Sequence, residues 1–259
     1  MNAGSLTLSN NDLVNSWPDI SGNSNNAVAV TPTNRPTYIT NGINGKPTIR
    51  FNGSSNYLKY NNHITSESST IFTVTKSNIP NNIGSILNIK NHYIHLSGDN
   101  TTYRVWSDSR IYYLSNTTPS SFSIFSYSVD NSTPIIQLYL TANNRALTEN
   151  ISGFWTSSES RIGLRVAKDA YHFDGDIAEI IIFNERLNSA KRKIVSNYLA
   201  AKYNLIPEQN LFVSVATHGF EVFGIGQESD GDHTTAKGSG IVEISNPSSL
   251  NNGDYLLIG

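Results

Sequence analysis

One segment of the chain, residues 171–203, differs from its surroundings because it joins an uninterrupted apolar strand to a helical repeat. The strand is Ile177–Phe183, in which Ile180, Ile181 and Ile182 show no polar alternation, so both of its faces should be covered. After a short polar break, the apolar residues that recur at helical spacing are Ile194, Val195, Tyr198, Leu199 and Tyr203. The pattern predicts a covered strand followed at once by a helix.

The predicted helix has a recognisable start and end. Asn188 or Ser189 is suited to cap its N-terminus, and Asn204, followed by Pro207, marks its C-terminal end. The basic run Lys191–Lys193 lies in the first turns, at the unfavourable end of the helix dipole. We expect this run to face water, with a docking patch as the alternative.

The rest of the chain consists of short strand patterns separated by Gly, Asn, Asp, Ser and Pro. In the middle of the chain these patterns cover residues 70–75, 85–89, 92–96, 103–106, 111–114, 122–129, 135–140 and 161–166. Recurrence every 8–12 residues or so, with no helical pattern between the runs, favours a sandwich over a βαβ arrangement. We therefore predict an all-β protein, an antiparallel β-sandwich with one helix near residues 188–204.

Six short motifs in a fixed order narrow this prediction. They are Trp17-x-Asp19-x-Ser21-Gly22-Asn23-x-Asn25, Arg35-Pro36, Asn44-Gly45-Lys46-Pro47, Phe51-x-Gly53, Phe173-x-Gly175-x-Ile177-x-Glu179 and Tyr198-Leu199-x-x-Lys202-Tyr203. In this order they resemble the concanavalin A-like, laminin-G-like domains of bacterial secreted proteins. The resemblance covers roughly residues 5–206 and implies a jelly roll of two antiparallel sheets.

Beyond Pro207 the chain returns to strand patterns joined by glycine-rich turns, at residues 211–216, 220–225, 241–244 and 255–258. We therefore predict a laminin-G-like sandwich domain at residues 1–206 and a β-rich C-terminal appendage at residues 207–259. The stretches Phe223–Gln227 and Gly253–Gly259 resemble the start of a module that follows laminin-G-like domains in large proteins exported by Bacteroidota. The resemblance implies that this module is truncated here.

Composition restricts the partners of the protein. Its net charge is −2 and only 15% of its residues are charged, so we expect no nucleic-acid binding. No apolar run approaches the roughly 18 residues of a membrane span, so we expect no membrane insertion. Cysteine is absent, which excludes disulfides and thiol chemistry. Since Met1–Ser5 is typical of a start codon placed before a domain, we expect a piece of a larger secreted or bacterial cell-surface protein with neighbouring domains.

A glycan or polysaccharide is the expected ligand, because residues 103–113 hold the richest local mixture of aromatic residues, arginines and an acid. In carbohydrate sites an aromatic face stacks on the sugar ring, while acids, amides and arginines bond its hydroxyls. The candidate contacts are Tyr103, Arg104, Trp106, Asp108, Arg110 and Tyr112. The alternative places Trp106 in the core, as we expect for Trp17 and Trp155. Since Arg104 and Trp106 share one face of a strand, Trp106 is available only if that face is open.

Calcium is a possible cofactor, because many laminin-G-like domains carry it. Hard oxygen ligands are expected from Asp19 in the Asn-rich loop and from Asp174 and Asp176 on the closing strand, if the first and last strands are neighbours. The alternative is an ion-free loop in which the Asn-rich turn satisfies itself.

Catalysis has weaker support. Asp174, Asp176 and Glu179 suggest a glycosidase, since such enzymes flank the scissile bond with two carboxyl groups. On a regular strand, however, Asp174 and Asp176 share a face and Glu179 points to the other. The Glu-x-Asp-x-x-Glu pattern of sandwich-fold glycanases does not occur. We predict a non-catalytic carbohydrate-binding or adhesion module; the alternatives are a glycoside hydrolase or lyase, and a structural spacer or protein-interaction domain.

Overall fold

The computed structural model of the chain describes residues 1–60, 68–78, 84–89, 92–96, 103–107, 110–114, 120–130, 135–140, 145–150, 159–166, 170–213, 221–238 and 241–259. In segments 92–96, 103–107, 110–114, 135–140 and 145–150 the description is of the backbone, except for the side chains of Val105, Tyr112, Gln137, Leu138, Tyr139 and Thr148.

The described residues form short strands and one α-helix. The strands that precede the helix are β1 (Ser16–Trp17), β2 (Ala27–Val28), β3 (Thr37–Ile43), β4 (Lys46–Asn52), β5 (Leu58–Tyr60), β6 (Ser69–Ser77), β7 (Gly84–Ile89), β8 (His92–Leu96), β9 (Tyr103–Ser107), β10 (Arg110–Leu114), β11 (Ser123–Asp130), β12 (Ile135–Leu140), β13 (Arg145–Asn150), β14 (Ser160–Ile162) and β15 (Asp174–Phe183). They are followed by α1 (Ser189–Tyr203), β16 (Phe223–Glu228), β17 (Gly231–His233), β18 (Ala236–Lys237), β19 (Glu243–Ile244) and β20 (Tyr255–Ile258).

Two large antiparallel sheets make the sandwich. The front sheet has eight strands in the order β1-β2-β5-β14-β7-β8-β9-β10, and the back sheet has seven in the order β13-β12-β11-β6-β15-β4-β3. A smaller sheet, β17-β16-β20, which we call the C-terminal sheet, follows α1 in the chain. The predicted fold class, an all-β sandwich with one helix, is confirmed.

Two apolar layers hold these elements together. The layer between the front and back sheets includes Trp17, Phe51 and Phe125, all fully buried, so the prediction that Trp17 belongs to the core is confirmed. The layer between the back sheet and α1 includes Phe72 and Leu199. Because both layers meet at β15, its isoleucine run is covered on both faces, as the sequence predicts.

The ends of α1 agree with their predicted signals. The side chain of Asn188 accepts a hydrogen bond from the Lys191 backbone N–H at 2.9 Å, so it satisfies an N–H that has no partner within the helix. Asn204 takes the left-handed conformation with φ of 51° and closes the helix. Both signals are local, which is why the sequence reveals them.

The basic run in the first turns of α1 does not face water as a whole, so that prediction is wrong for its central member. Arg192 is buried, forms an ion pair with Glu208 and lies over the Tyr139 ring, 3.5 Å from its centroid. The next residue, Lys193, bonds Glu228 of β16 at 2.5 Å. The docking alternative is therefore the one that the structure supports.

The C-terminal sheet also contacts the N-terminus of α1. The Asp230 carboxylate accepts a hydrogen bond from the Ser189 backbone N–H at 3.0 Å, and the Asn188 amide donates to the Asp232 carbonyl oxygen at 2.8 Å. A carboxylate at this position stabilises the helix dipole and offsets the nearby basic side chains. The appendage packs on the sandwich through α1, and the domain boundary at residue 206 stays a prediction.

Two predicted strands differ from the structure. The strand predicted for 161–166 ends at Ile162, because Gly163 has φ of +86° and a Cβ there would lie 2.5 Å from the Phe51 ring. The strand predicted for 211–216 is wrong for residues 211–213, which form none, and its remainder lies outside the described residues. Within the described chain no helix is long and apolar enough to cross a membrane.

Candidate functional site

A cleft of about 620 Å³ lies between the two sheets. Its front-sheet wall includes Leu87 and Ile162, and its back-sheet wall includes Ile180 and Ile182. The other lining residues are Met1, Asp19, Ile20, Ser21, Asn23, Asn25, Tyr60, Glu179, Ile181, Asn184 and Tyr198. An apolar interior thus meets a polar rim, and the volume falls within the range of about 300–1,000 Å³ usual for ligand sites.

The cleft lies where β15 extends past its neighbour β4. Pairing with β4 ends at Ile177, and further along Ile180 donates its N–H to the Met1 carbonyl oxygen at 2.9 Å. Since backbone groups two residues apart in a strand point the same way, the N–H and C=O of Ile182 face this edge too. No described strand pairs with β15 there. The edge therefore offers backbone donors and acceptors to the cleft.

The rim is shaped by the Asn-rich loop after β1. The Asp19 carboxylate accepts hydrogen bonds from the Ser21 N–H at 2.9 Å and the Asn25 N–H at 3.1 Å. Gly22 and Ser24 take the positive φ values that the tight loop requires. The loop closes on itself and leaves the Ile20 side chain 60% exposed at the rim. The Oδ1 atom of Asn25 is buried without a hydrogen-bond partner.

The two carboxylates of the cleft lie in different environments. Burial acts to raise the pKa of Asp19, but hydrogen bonds from Ser21 and Asn25 outweigh it and hold that pKa below its ordinary value. The Glu179 carboxylate accepts hydrogen bonds from Lys202 and from the Tyr203 hydroxyl, both at 2.8 Å, and so anchors α1. Asp19 is therefore a negative charge at the rim, whereas Glu179 is part of a buried ion pair.

The acids expected to bind calcium are not brought together. Asp19 lies at the cleft beside Ile180, six residues along β15 from Asp174, which at about 3.3 Å per residue is a distance of about 20 Å. Asp176 is fully buried and bonds Arg50 through both oxygens, at 2.7 and 3.0 Å, with Lys76 at 3.3 Å. Its charge is neutralised by these cations.

Asp174 at the edge of the back sheet completes this correction. Burial, together with the nearby Asp176 carboxylate, raises the pKa of Asp174, which is unlike the depressed pKa that a cation ligand needs. Among the residues that the structure describes, no group of three or more acids or histidines could hold a metal ion. The predicted calcium ligands Asp19, Asp174 and Asp176 therefore do not form one site.

The predicted positions of the β15 carboxylates are also wrong in one respect. A β-bulge between Ile177 and Glu179 inserts one extra residue against β6, so the alternation of faces shifts. Asp176 and Glu179 consequently lie on the same, α1-facing side of the back sheet, and each is engaged with cations or α1. The bulge explains why strict alternation misplaces Glu179.

The aromatic segment 103–113 forms the hairpin of β9 and β10. Tyr112 pairs with Val105, and both side chains are buried in the layer between the sheets. This corrects the prediction for Tyr112, whose ring is not on an exposed surface. Asp108 and the side chains of Tyr103, Arg104, Trp106 and Arg110 lie outside the described residues, so their predicted role stays a prediction, and Trp155 lies outside them too.

Sequence reasoning identified the Asn-rich loop as a turn but missed it as a rim. Ile20, Asn25, Asn184 and Tyr198 line the cleft although they are far apart in the sequence. A dense run of Asn, Ser and Gly with one apolar residue, Ile20, was the available signal. The open edge of β15 depends on where β4 stops, which no local pattern reveals.

Comparisons with known proteins give structural likenesses only. No protein-family model matches the chain, and no curated protein matches it. Among solved structures, the CBM40 module of the Ruminococcus gnavus IT-sialidase, bound to alpha2,3 sialyllactose, is similar with a TM-score of 0.42 and 15% identity, over 48% of this chain and 80% of that one.

Two further structures are similar at the same level. Domain 4 of the GH43 extracellular arabinanase AbnA from Geobacillus stearothermophilus, in complex with arabinotriose, has a TM-score of 0.48 and 15% identity, over 70% of this chain and 96% of that one. The binding domain of Paraclostridial Mosquitocidal Protein 1 has a TM-score of 0.48 and 18% identity, over 68% and 50%. At such scores these likenesses assign neither a family nor a ligand.

Proposed function

We propose that the protein is a non-catalytic carbohydrate-binding module and that the cleft between its sheets is the binding site. The observation that carries this proposal is the combination of an apolar interior, formed by Leu87, Ile162 and Ile180, with a rim of uncharged hydrogen-bonding side chains. A sugar ring matches this combination, since it presents C–H groups on its faces and hydroxyls at its edge.

The rim supplies the directed bonds that such a ligand needs. Asn23, Asn25 and Asn184 offer amide donors and acceptors, and the open edge of β15 at Ile182 adds backbone groups. The half-buried ring of Tyr198 adds an aromatic surface at the same cleft. Few precisely placed polar groups around an apolar floor are what small-molecule sites usually contain.

A binding role is favoured over a hydrolytic one by the state of the carboxylates. A glycosidase needs an acid with a raised pKa near its second carboxyl group. At the cleft the pKa of Asp19 is lowered instead, and Glu179 is occupied by Lys202 and Tyr203. Asp176 is neutralised by Arg50 and Lys76. These contacts support a module that holds a glycan without cleaving it.

The wider setting is part of the same proposal. The ordered motifs from Trp17 to Tyr203 support a sandwich of the laminin-G-like type, and the polar, weakly charged composition fits a lectin-like adhesion module. We place it in a larger secreted or cell-surface protein, with the C-terminal sheet leading to neighbouring domains. Calcium is not part of the proposed binding mechanism.

The experiment is a calorimetric titration of oligosaccharides from a glycan array into the wild type and two matched variants. Ile20→Ala should weaken binding about fivefold, because it removes apolar contact area at the rim. Ile206→Ala is the control, since Ile206 is 66% exposed, similar to the 60% of Ile20, but does not line the cleft. Equal affinities of both variants and the wild type would exclude the cleft as the site, and no binding to any glycan would favour the spacer alternative.

A further inference from the structure

The charges at the cleft have one predominant sign. Its described lining residues include the two carboxylates of Asp19 and Glu179 and no lysine or arginine side chain. Glu179 is compensated by Lys202, which binds it from α1. Asp19 is left as the charge that a ligand at the rim would meet, since its own partners are the uncharged backbone N–H groups of Ser21 and Asn25.

One positive group faces these carboxylates, the Met1 amino group. It donates a hydrogen bond to the Ile180 carbonyl oxygen at 2.7 Å, which ties it to β15. Burial lowers its pKa, while Glu179 and Asp19 act in the opposite direction. The amino group is therefore shared between a carbonyl and two carboxylates and provides no free cation for an acidic ligand.

The unpaired hydrogen-bonding atoms of the cleft are acceptors to an unusual degree. Asn25 Oδ1 is buried and has no partner, which is costly for a polar atom unless a donor reaches it. The Ile182 carbonyl oxygen at the open edge is a second acceptor, beside the ionised Asp19. Sugar hydroxyls can donate to all three atoms, whereas a carboxylate, sulfate or phosphate group cannot.

We propose that the cleft takes uncharged, polyhydroxylated sugar chains and discriminates against acidic ones, with Asp19 as the residue that determines this specificity. The inference deepens the proposed function and rests on it. It separates neutral chains from uronate, sialate and sulfated chains by a physical criterion, the charge and donor content of the ligand.

The test is a titration of two ligands of the same length and linkage, a neutral galacto-oligosaccharide and the corresponding oligogalacturonide, into the wild-type protein. The neutral chain should bind at least about tenfold more tightly, because the acidic chain brings like charge close to Asp19. The preference should shrink when the salt concentration rises from about 0.05 M to about 0.5 M, since salt screens a charge at the rim. An N-terminally acetylated protein should show the same preference or a stronger one.

Two variants place the effect on this cleft. Asp19→Asn should reduce the preference to about threefold or less, whereas Asp12→Asn should leave it unchanged. Asp12 is the matched control, because it also caps a turn, through the Ser9 N–H at 2.8 Å, but lies outside the cleft. Asn184→Lys tests the same point without altering the Asn-rich loop: a base at the exposed rim should raise the affinity for the acidic chain at least about threefold.

The outcomes separate the two proposals. Equal or tighter binding of the acidic chain by the wild type would overturn the specificity and leave the glycan-binding function standing. A preference that Asp19→Asn and Asn184→Lys do not change would also overturn it. If neither chain nor any other glycan binds, the function itself fails and the specificity fails with it.

Discussion

The cleft between the sheets and the contact between α1 and the C-terminal sheet are built from similar residues in opposite states. At the contact, Lys193 bonds Glu228, and Asp230 caps the N-terminus of α1. At the cleft, Asn25 Oδ1 has no partner and Ile20 is exposed. Polar groups that partner one another hold the fold together, whereas groups that still lack a partner are available to a ligand. The following experiments test this distinction.

Loss of the apolar layer under α1 should have the largest effect. Leu199 is fully buried against the back sheet, so Leu199→Ala should lower the free energy of unfolding by about 2–5 kcal/mol, the usual range for truncating a buried leucine. The measurement is the midpoint of urea unfolding, with exposed Leu13→Ala as the control. A negligible shift for Leu199→Ala would show that α1 is peripheral to the sandwich.

The contact between α1 and the C-terminal sheet should be weaker but measurable. Hydrogen bonds from Lys193 and Tyr255 lower the pKa of Glu228. Because the folded-state pKa is below the unfolded one, the stabilisation is present above about pH 4.3 and disappears as the pH falls through the folded-state value. Glu228→Gln should therefore cost about 1–3 kcal/mol at neutral pH and less in acid, measured by urea unfolding at several pH values.

Its matched control is Glu243→Gln. Glu243 pairs with Lys237 at 3.2 Å, but both side chains are mostly exposed, so the cost should stay below about 1 kcal/mol. Equal costs for the two variants would remove the distinction between a buried contact and a surface ion pair.

The aromatic segment offers a competing site, and Trp106→Ala tests it. If Trp106 contacts a glycan, the change should leave stability within about 1 kcal/mol and weaken binding by about 1–3 kcal/mol, by analogy with stacking on nucleic-acid bases. Unfolding and glycan titration are measured on the same sample. A large loss of stability without a change in binding would place Trp106 in the core and leave the cleft as the binding site.

Calcium should have the smallest effect. Since Asp176 is neutralised by Arg50 and Lys76 and Asp19 lies far along β15 from Asp174, we expect the same melting temperature with calcium as with a chelator at constant ionic strength. A rise of several degrees with calcium would restore the ligand set that the sequence suggests.

The sequence predicts those parts of the molecule that depend on neighbouring residues. The caps at Asn188 and Asn204 and the doubly covered run at Ile180–Ile182 are visible as local patterns. The bulge before Glu179 and the burial of Arg192 are not, because each depends on a partner distant in the chain, β6 in one case and Glu208 with Tyr139 in the other.

The same limit applies to the site. The Asn-rich loop is visible in the sequence, and its hydrogen bonding to Asp19 follows from its residue types. The cleft also needs β4 to stop opposite Ile177 and α1 to bring Tyr198 to the rim. These are properties of the assembled sheets. The aromatic composition of residues 103–113 therefore attracted attention that the cleft, with few aromatic residues, did not.

The most direct measurement of the central claim is a titration of a neutral oligosaccharide into ¹⁵N-labelled protein, followed by the backbone amide resonances. Binding at the cleft predicts that the perturbed amides concentrate in the Asn-rich loop, at Ser21, Asn23 and Asn25, and at Ile182 and Asn184, while those of the C-terminal sheet stay unchanged. Perturbations confined to residues 103–113 would contradict the assignment of the cleft, and a spectrum that no glycan changes would contradict carbohydrate binding itself.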